Sequence, residues 1–470
     1  MAIPPEQWEI CLKVLQQIAD EPTIINQNDR IKSLIAKIYK QGRKELRQTQ
    51  RQQQTEDRQL RALTTIVQHQ QRASAPLPEL ASSPVNNYHP PQLNQPIPCY
   101  ICKQPYTQLH FFYHSLCPSC AEFNYQKRQQ YTNLAGRVAL VTGGRIKIGY
   151  QMGLRLLRDG ARVIITTRFP YDCAYRYSLE PDFQQWCDRL QIYGLDLRHI
   201  SAVETFVQAL LHTESALDII INNAAQTIKR PLGFYQQLLH REQELSQKLT
   251  PSLQALVVSA CHQPQSLLLE AQPHYHHYLP KDYLLSNSSH YFPLQHLDPD
   301  GQQLDIRPTN SWLLKLNQVS TIELLEVQLV NAIAPFIFNS KLKPMLMRSL
   351  FERRFVINVS AMEGQFSRDS KTPNHPHTNM AKAALNMMTR TAAADYAQDH
   401  IYMNSVDTGW ITNENPYPVK RRMETEQSFY TPLDVIDGMA RIYDPIVQGI
   451  ENPNIPLYGY FLKDYTSYPW

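Results

Sequence analysis

Four of the cysteines stand in two tight pairs. In CYICKQPYTQLHFFYHSLCPSC, Cys99 and Cys102 form one CxxC and Cys117 and Cys120 the other. A CxxC turn presents two thiolates from one loop, and two such turns complete the tetrahedral four-ligand shell that zinc favours. A shell closed by thiolates leaves no position for a substrate, so the spacing predicts a structural zinc rather than a catalytic one. His110 and His114 lie between the pairs and could replace a cysteine; as packing or surface residues they need no metal. A segment this short cannot bury enough apolar surface, so the metal would supply its folding energy. Such a module braces its neighbours or docks a protein or a nucleic acid. The nearby basic residues are few (Lys103, Lys127, Arg128), which favours a brace or a protein contact and speaks against nucleic acid.

A second set of residues could cradle phosphate. GRVALVTGGRIKIGYQMGLRLLRDGARVIITTR reads as strand, turn, helix and strand. Val138 to Val141 is a continuous apolar run suited to a central parallel strand. Thr142, Gly143, Gly144, Arg145, Lys147, Ile148 and Gly149 form the turn and open the helix. Glycines there let the backbone approach a pyrophosphate, which sits on the free N–H groups of the helix N-terminus. The strand Val163 to Thr167 ends at Arg168. A basic residue at this point accommodates the 2′-phosphate of NADP, where an acidic one would grip the ribose of NAD. With Arg145 in the first turn, Arg168 makes NADP the expected cofactor and NAD the alternative.

These residues, taken in order, resemble a short-chain dehydrogenase/reductase. The turn matches TGxxxGxG except that Lys147 occupies the middle glycine position, where pteridine reductases of the same superfamily also carry a basic residue. Asp196, followed by Leu197, matches the acidic residue that contacts adenine. Asn222, Asn223, Ala224 and Ala225 match NNAG, with Ala225 for glycine. Gly409 and Thr412 in VDTGWITNENP match PGxxxT, with Thr408 for proline. The resemblance covers about 137–231 and 319–470. It implies a catalytic group of four: asparagine, serine, tyrosine and lysine.

Asn331 and Lys382 match the asparagine and the lysine. The tyrosine position, four residues before the lysine, holds Thr378, and seven residues before stands His375. Aligned through Gly364, FVINVSAMEG puts Ala361 in the serine position and Ser360 one residue earlier. A one-residue offset on a strand points the hydroxyl to the other face, so Ser360 is the candidate serine only where the strand end twists or bulges. A threonine hydroxyl does not titrate near neutrality, so His375 or His377 is the alternative acid. Lys382 keeps a second implied role, hydrogen bonding to the nicotinamide ribose. Two readings result: an NADP-dependent oxidoreductase on an unknown carbonyl or alcohol, or a catalytically inactive dinucleotide-binding sensor or scaffold that acts through its zinc module and arm.

The elements that must position these residues can be read from pattern. Residues 1–72 read as a helical arm, apolar at Trp8, Leu12 and Leu15 and at Ile31, Leu34 and Ile38, then almost wholly polar. Such an arm is either solvated or self-associating, and a homo-oligomer or a protein partner is expected there. Residues 73–98 read as a proline-rich linker, 99–133 as the four-cysteine zinc module, and 134–470 as a Rossmann-type doubly wound parallel α/β sheet. An insertion over about 232–318 interrupts it, with helical patches at Leu238–Gln263 and near Trp312–Leu316. Its HYHHY, His274 to Tyr278, reads as a solvated loop or a metal site. The composition, 43% hydrophobic and 19% charged, is that of a globular chain, and a net charge of +4 gives no ground for a membrane surface or nucleic acid. No run of about 18 apolar residues predicts a membrane span. Scattered Cys11, Cys173, Cys187 and Cys261 and the absence of an apolar leader predict a reducing, cytoplasmic setting.

Overall fold

The computed structural model describes residues 4–71, 90–258, 289–298, 301–368 and 370–470. His274 to Tyr278, Cys261 and most of the expected linker lie outside the described residues. Two strands, β1 (Gln92–Pro98) and β2 (Pro105–Gln108), form an antiparallel hairpin in the cysteine module. The main sheet holds β3 (Val138–Thr142), β4 (Arg162–Thr167), β5 (Leu190–Gly194), β6 (Ile219–Asn222), β7 (Val257–Val258), β8 (Arg354–Ser360), β9 (Ile401–Asp407), β10 (Phe461–Lys463) and β11 (Thr466–Tyr468). Their order is β11-β10-β9-β8-β6-β3-β4-β5-β7, and every pairing is parallel except β10 with β11.

The apolar runs explain this arrangement. Ile219 to Ile221 and Phe355 to Ile357 are buried on both sides of the strand, as a parallel sheet covered on both faces requires. One face packs Met152, Leu156, Tyr177, Ile442 and Tyr443; the other packs Phe206, Phe338, Leu342 and Tyr396. The stretch Thr321–Met347 is long and apolar enough to cross a membrane. It is instead half covered by protein, with Val327, Phe338 and Leu342 in the core and Asn331 and Asn339 buried and hydrogen-bonded along it. That is the pattern of a core helix.

Three boundaries differ from the sequence expectation. The linker expected over 73–98 is a strand from Gln92 onward, even with Pro96 and Pro98, because a hairpin edge tolerates a residue without N–H. The arm is not separate either. Its last helix, Thr65–Gln71, puts Ile66 and Val67 into one core with Leu93, Tyr106, Phe112 and Tyr113 of the module and Leu433 of the sheet domain. The insertion begins with a helix at Leu232–Lys248, six residues ahead of the expected helical patch, and adds β7 to the sheet edge beside β5. Further out, Trp8, Leu12 and Leu15 and, on helix Asp29–Ala62, Leu34 and Ile38 are exposed.

Candidate functional site

The glycine turn is fixed by hydrogen bonds from the end of β6. Asn223 donates its side-chain N–H to the carbonyls of Thr142 (3.0 Å) and Gly143 (3.3 Å). The Thr142 hydroxyl in turn accepts the backbone N–H groups of Asn223 and Ala224, both at 3.0 Å. A Cβ on Gly149 would lie 2.3 Å from the Gly143 carbonyl oxygen and 2.5 Å from Asn223 Nδ2, so any side chain there would break the turn. Lys147 has φ +56°, the left-handed conformation that glycine adopts without penalty. The residue that departs from the glycine pattern therefore holds the glycine backbone shape.

The turn opens onto a cleft of about 1010 Å³ at the carboxyl ends of the strands. Of the sixteen cofactor positions expected from sequence, all but Thr142 and Gly144 line it. Thr142 lies beneath, and Gly144 faces Ile165. Arg168 stands at the β4 end of the cleft, its guanidinium 4.7 Å from the centre of the Tyr235 ring and donating to the Tyr235 hydroxyl at 2.9 Å. Tyr235 comes from the insertion, a partner that the sequence did not disclose. Arg145 behaves differently. It is buried and donates to Asp172 at 2.7 Å, a carboxylate that Arg176 and Arg241 also contact. Its charge is thus neutralised inside the protein. Asp196 accepts from Arg198 at 2.7 Å, which holds its carboxyl below the usual range against the opposing effect of burial.

At the other end, β8 and the helix Pro376–Gln398 meet. Lys382 is buried and donates to the Val359 carbonyl at 2.8 Å. Burial pushes its ammonium down to about 8, and Glu363 opposes that shift. Thr378 lies one helical turn before Lys382 and lines the same cleft; its hydroxyl is buried without a hydrogen-bond partner among the described residues. Ser360 pairs in register with Asp407 and donates to Asn386 at 2.6 Å, so its proton is directed to the helix. Asn331 sits in a π-helical turn, Leu329–Ile333, and clamps Gln226: its Oδ1 accepts the Gln226 N–H at 2.7 Å and its Nδ2 donates to the carbonyl at 3.1 Å. Asn331 therefore orders the loop after β6 and does not itself line the cleft.

The histidines do not take the place offered to them. His375 has φ +42°, stacks on Trp312 at 3.8 Å and 9°, and is absent from the cleft lining; burial lowers its imidazole. His377 is 1% exposed with its Nε2 3.3 Å from Glu323. Both are buried packing residues, and neither lines the cleft as the alternative acid would. Sequence reasoning missed Asp407, which lines the cleft and whose carboxyl is raised to about 6 by burial and by Asp464 and Glu363. It also missed Tyr100 and Lys103, which reach the cleft from the cysteine module. No local pattern marks either.

A family model described as short chain dehydrogenase matches residues 137–252, and one described as enoyl-(acyl carrier protein) reductase matches 314–434. An uncharacterized protein, R665, of Acanthamoeba polyphaga mimivirus is 33% identical over 360 residues, covering 74% of this chain and 71% of the viral protein. The chain belongs to the short-chain dehydrogenase/reductase family. Within it, the rhamnolipids biosynthesis 3-oxoacyl-(acyl-carrier-protein) reductase of Pseudomonas aeruginosa is 38% identical over 111 residues, 22% of this chain and 40% of that enzyme. Among solved structures, the Pseudomonas aeruginosa RhlG/NADP active-site complex superposes with TM-score 0.44 and 19% identity, over 71% of this chain and 96% of that one. The NADPH-bound carbonyl reductase from chicken fatty liver gives 0.44 and 17%, over 72% and 100%. The two family models leave out most of the insertion, as the resemblance did.

Thr378 and Lys382, expected from sequence at the tyrosine and lysine spacing, lie on the one helix Pro376–Gln398. The four cysteines form a cluster of their own. Their Sγ atoms lie within 4.8 Å of one another, with Cys102 and Cys117 at 3.7 Å. Four thiolates bound to one zinc at about 2.3 Å would be about 3.8 Å apart, so the set fits a tetrahedral metal. The Cys117 N–H donates to Cys99 Sγ at 3.3 Å, which orients a thiolate. His110 and His114 lie outside this cluster: His110 faces Glu122 at 3.8 Å, and His114 is buried, its imidazole pushed down to about 3 by desolvation.

Proposed function

We propose that this short-chain dehydrogenase/reductase is an NADP(H)-dependent oxidoreductase acting on a carbonyl or alcohol group, with a structural zinc in its cysteine module. The observation that carries the first part is one continuous cleft with the glycine turn and Arg168 at one end and Lys382 beside an unpartnered Thr378 hydroxyl at the other. The residues fit a dinucleotide: the turn excludes side chains at Gly149 and opens the helix Lys147–Arg158, whose N-terminus carries no side-chain cap and suits a phosphate. When bound, NADPH would supply a hydride to a carbonyl carbon, or NADP+ would accept one from an alcohol. Gly143, Lys147 and Ile148 would hold the pyrophosphate, Asp196 and Leu197 the adenine, and Arg168 the 2′-phosphate. Lys382 would hold the reactive ribose and, as a cation, favour negative charge developing on a substrate oxygen. The Thr378 hydroxyl would bind that oxygen. It cannot act as an acid alone, and the proton would have to come through it from water or from another cleft group.

Arg168→Ala tests the cofactor. Loss of a charge-assisted contact of about 1.5–3 kcal/mol should weaken NADPH roughly tenfold or more and leave NADH nearly unchanged, read as two dissociation constants. Equal loss for both counts against NADP. The second reading, a dinucleotide-binding sensor without turnover, is favoured by the Ser360 hydroxyl directed to Asn386 and by the missing phenol. Tight NADPH binding with no hydride transfer across a carbonyl panel would select it.

Metal analysis should find one zinc per chain, and Cys99→Ser or Cys117→Ser should abolish it; a metal-free wild type would remove this part of the reading. A reduced four-thiolate site also suits a reducing compartment such as the cytoplasm.

A further inference from the structure

The first knuckle of the cysteine module is also a wall of the cleft. Tyr100 lies between Cys99 and Cys102, and its hydroxyl accepts the backbone N–H of Trp410 at 3.0 Å. Trp410 comes after Gly409, which has φ +80° and whose Cβ position would be 3.6 Å from the Tyr100 hydroxyl. This loop continues from the end of β9 and lines the cleft through Gly409, Ile411 and Thr412. Across the sheet, β9 lies beyond β8 and Lys382, on the side away from Arg168 at β4. The knuckle thus stands at the reactive end of the cleft, not at the adenosine end.

Tyr100 is itself held by backbone hydrogen bonds that link the two cysteine turns. Its N–H donates to the Ser115 carbonyl at 2.8 Å, two residues before Cys117, and the Cys99 and Lys103 backbones close the turn around it. The rest of the module grips the chain on the far side of the loop. Leu433 is buried in the module core and Ile411 packs against it, while Gln70 of the arm makes paired hydrogen bonds with the Thr431 backbone at 3.0 and 3.1 Å. This stretch of chain is therefore anchored to the module at Trp410 and Leu433, and to the last helix of the arm at Thr431.

We propose that Tyr100 is a positioning residue: the metal-held knuckle sets the Gly409–Thr412 loop, and through it the reactive end of the dinucleotide cleft. This rests on the zinc and NADP(H) readings above. Loss of the metal, by chelation or by oxidation of the thiolates, would then loosen a ligand site to which no cysteine among the described residues contributes.

The test uses the full chain. Tyr100→Phe keeps the ring and removes the acceptor. It should leave the zinc content at one per chain, speed hydrogen exchange at the Trp410 amide about tenfold, and weaken NADPH several-fold. Stripping zinc from the wild type with a chelator should reproduce both changes. Unchanged exchange at Trp410 and unchanged NADPH affinity in Tyr100→Phe would overturn the positioning role, whatever the metal content. A chelated protein that behaves as the untreated one would overturn the metal's part in it. A wild type without zinc fails at the metal analysis instead. A failed NADP(H) reading shows as no NADPH binding in the wild type, while exchange at Trp410 still reports on Tyr100.

Discussion

Arg128→Met is expected to destabilise the protein by about 3–5 kcal/mol, although Arg128 lies in the cysteine module and touches no expected ligand. Its guanidinium is 2.6 Å from Asp434 and 3.0 Å from Asp437, and all three side chains are buried. The two carboxylates belong to the N-terminus of the helix Val435–Glu451, where Asp434 caps the backbone N–H groups of Ile436 and Asp437. Against the upward effect of burial, Arg128 and the capping bonds hold Asp434 low, while burial and Asp434 push Asp437 up. Removing the arginine leaves a buried charge without its counter-ion, the situation in which a broken ion pair is most destabilising. The measurement is a urea melt of the full chain. A loss under 1 kcal/mol would mean that water reaches the two aspartates and that the module only rests on the domain. Asp437→Asn on the Arg128→Met background should recover part of the loss, because it removes the second carboxyl beside the uncompensated Asp434.

That expectation depends on contacts separated by more than 300 positions, and here reading from sequence reached its limit. The glycine turn was legible because its logic is local: Gly143, Lys147 and Gly149 must follow a buried strand and open a helix. The CxxC pairs were legible for the same reason, and Lys382 because it sits at fixed spacing on one helix. The module's place was not legible. Nothing near Tyr100 points to Trp410, and nothing near Arg128 points to Asp434. Arg145 looked like a phosphate ligand until Asp172 appeared beside it, and the Tyr235 under Arg168 belongs to an insertion with no pattern to align. His375 was a reasonable acid by chemistry, but a left-handed backbone and a Trp312 stack turn its ring out of the cleft. In each case type and spacing gave the chemistry a residue could do, and packing decided whether it was available.

Lys382→Met should separate stability from function. A lysine in water has a pKa near 10.4. Burial pushes that of Lys382 down to about 8. Below pH 8 both the folded and unfolded chains hold this proton, and the folded chain carries a buried cation whose net cost is about 3 kcal/mol. Between about pH 8 and 10.4 the unfolded chain holds more protons than the folded one, so this cost is relieved and stability from this group rises with pH. Methionine removes the charge and keeps most of the volume, at the loss of one hydrogen bond to Val359 worth about 1 kcal/mol. The variant should therefore be more stable at pH 7 by roughly 1–3 kcal/mol, and the rise in stability above pH 8 should shrink. The same change removes the cation beside Thr378, so NADPH should weaken by tenfold or more and any hydride transfer should vanish. A buried charge that destabilises the fold is retained where the charge serves a ligand. A variant that is less stable and binds NADPH as the wild type does would show instead that Lys382 is a structural residue, held for its bond to β8.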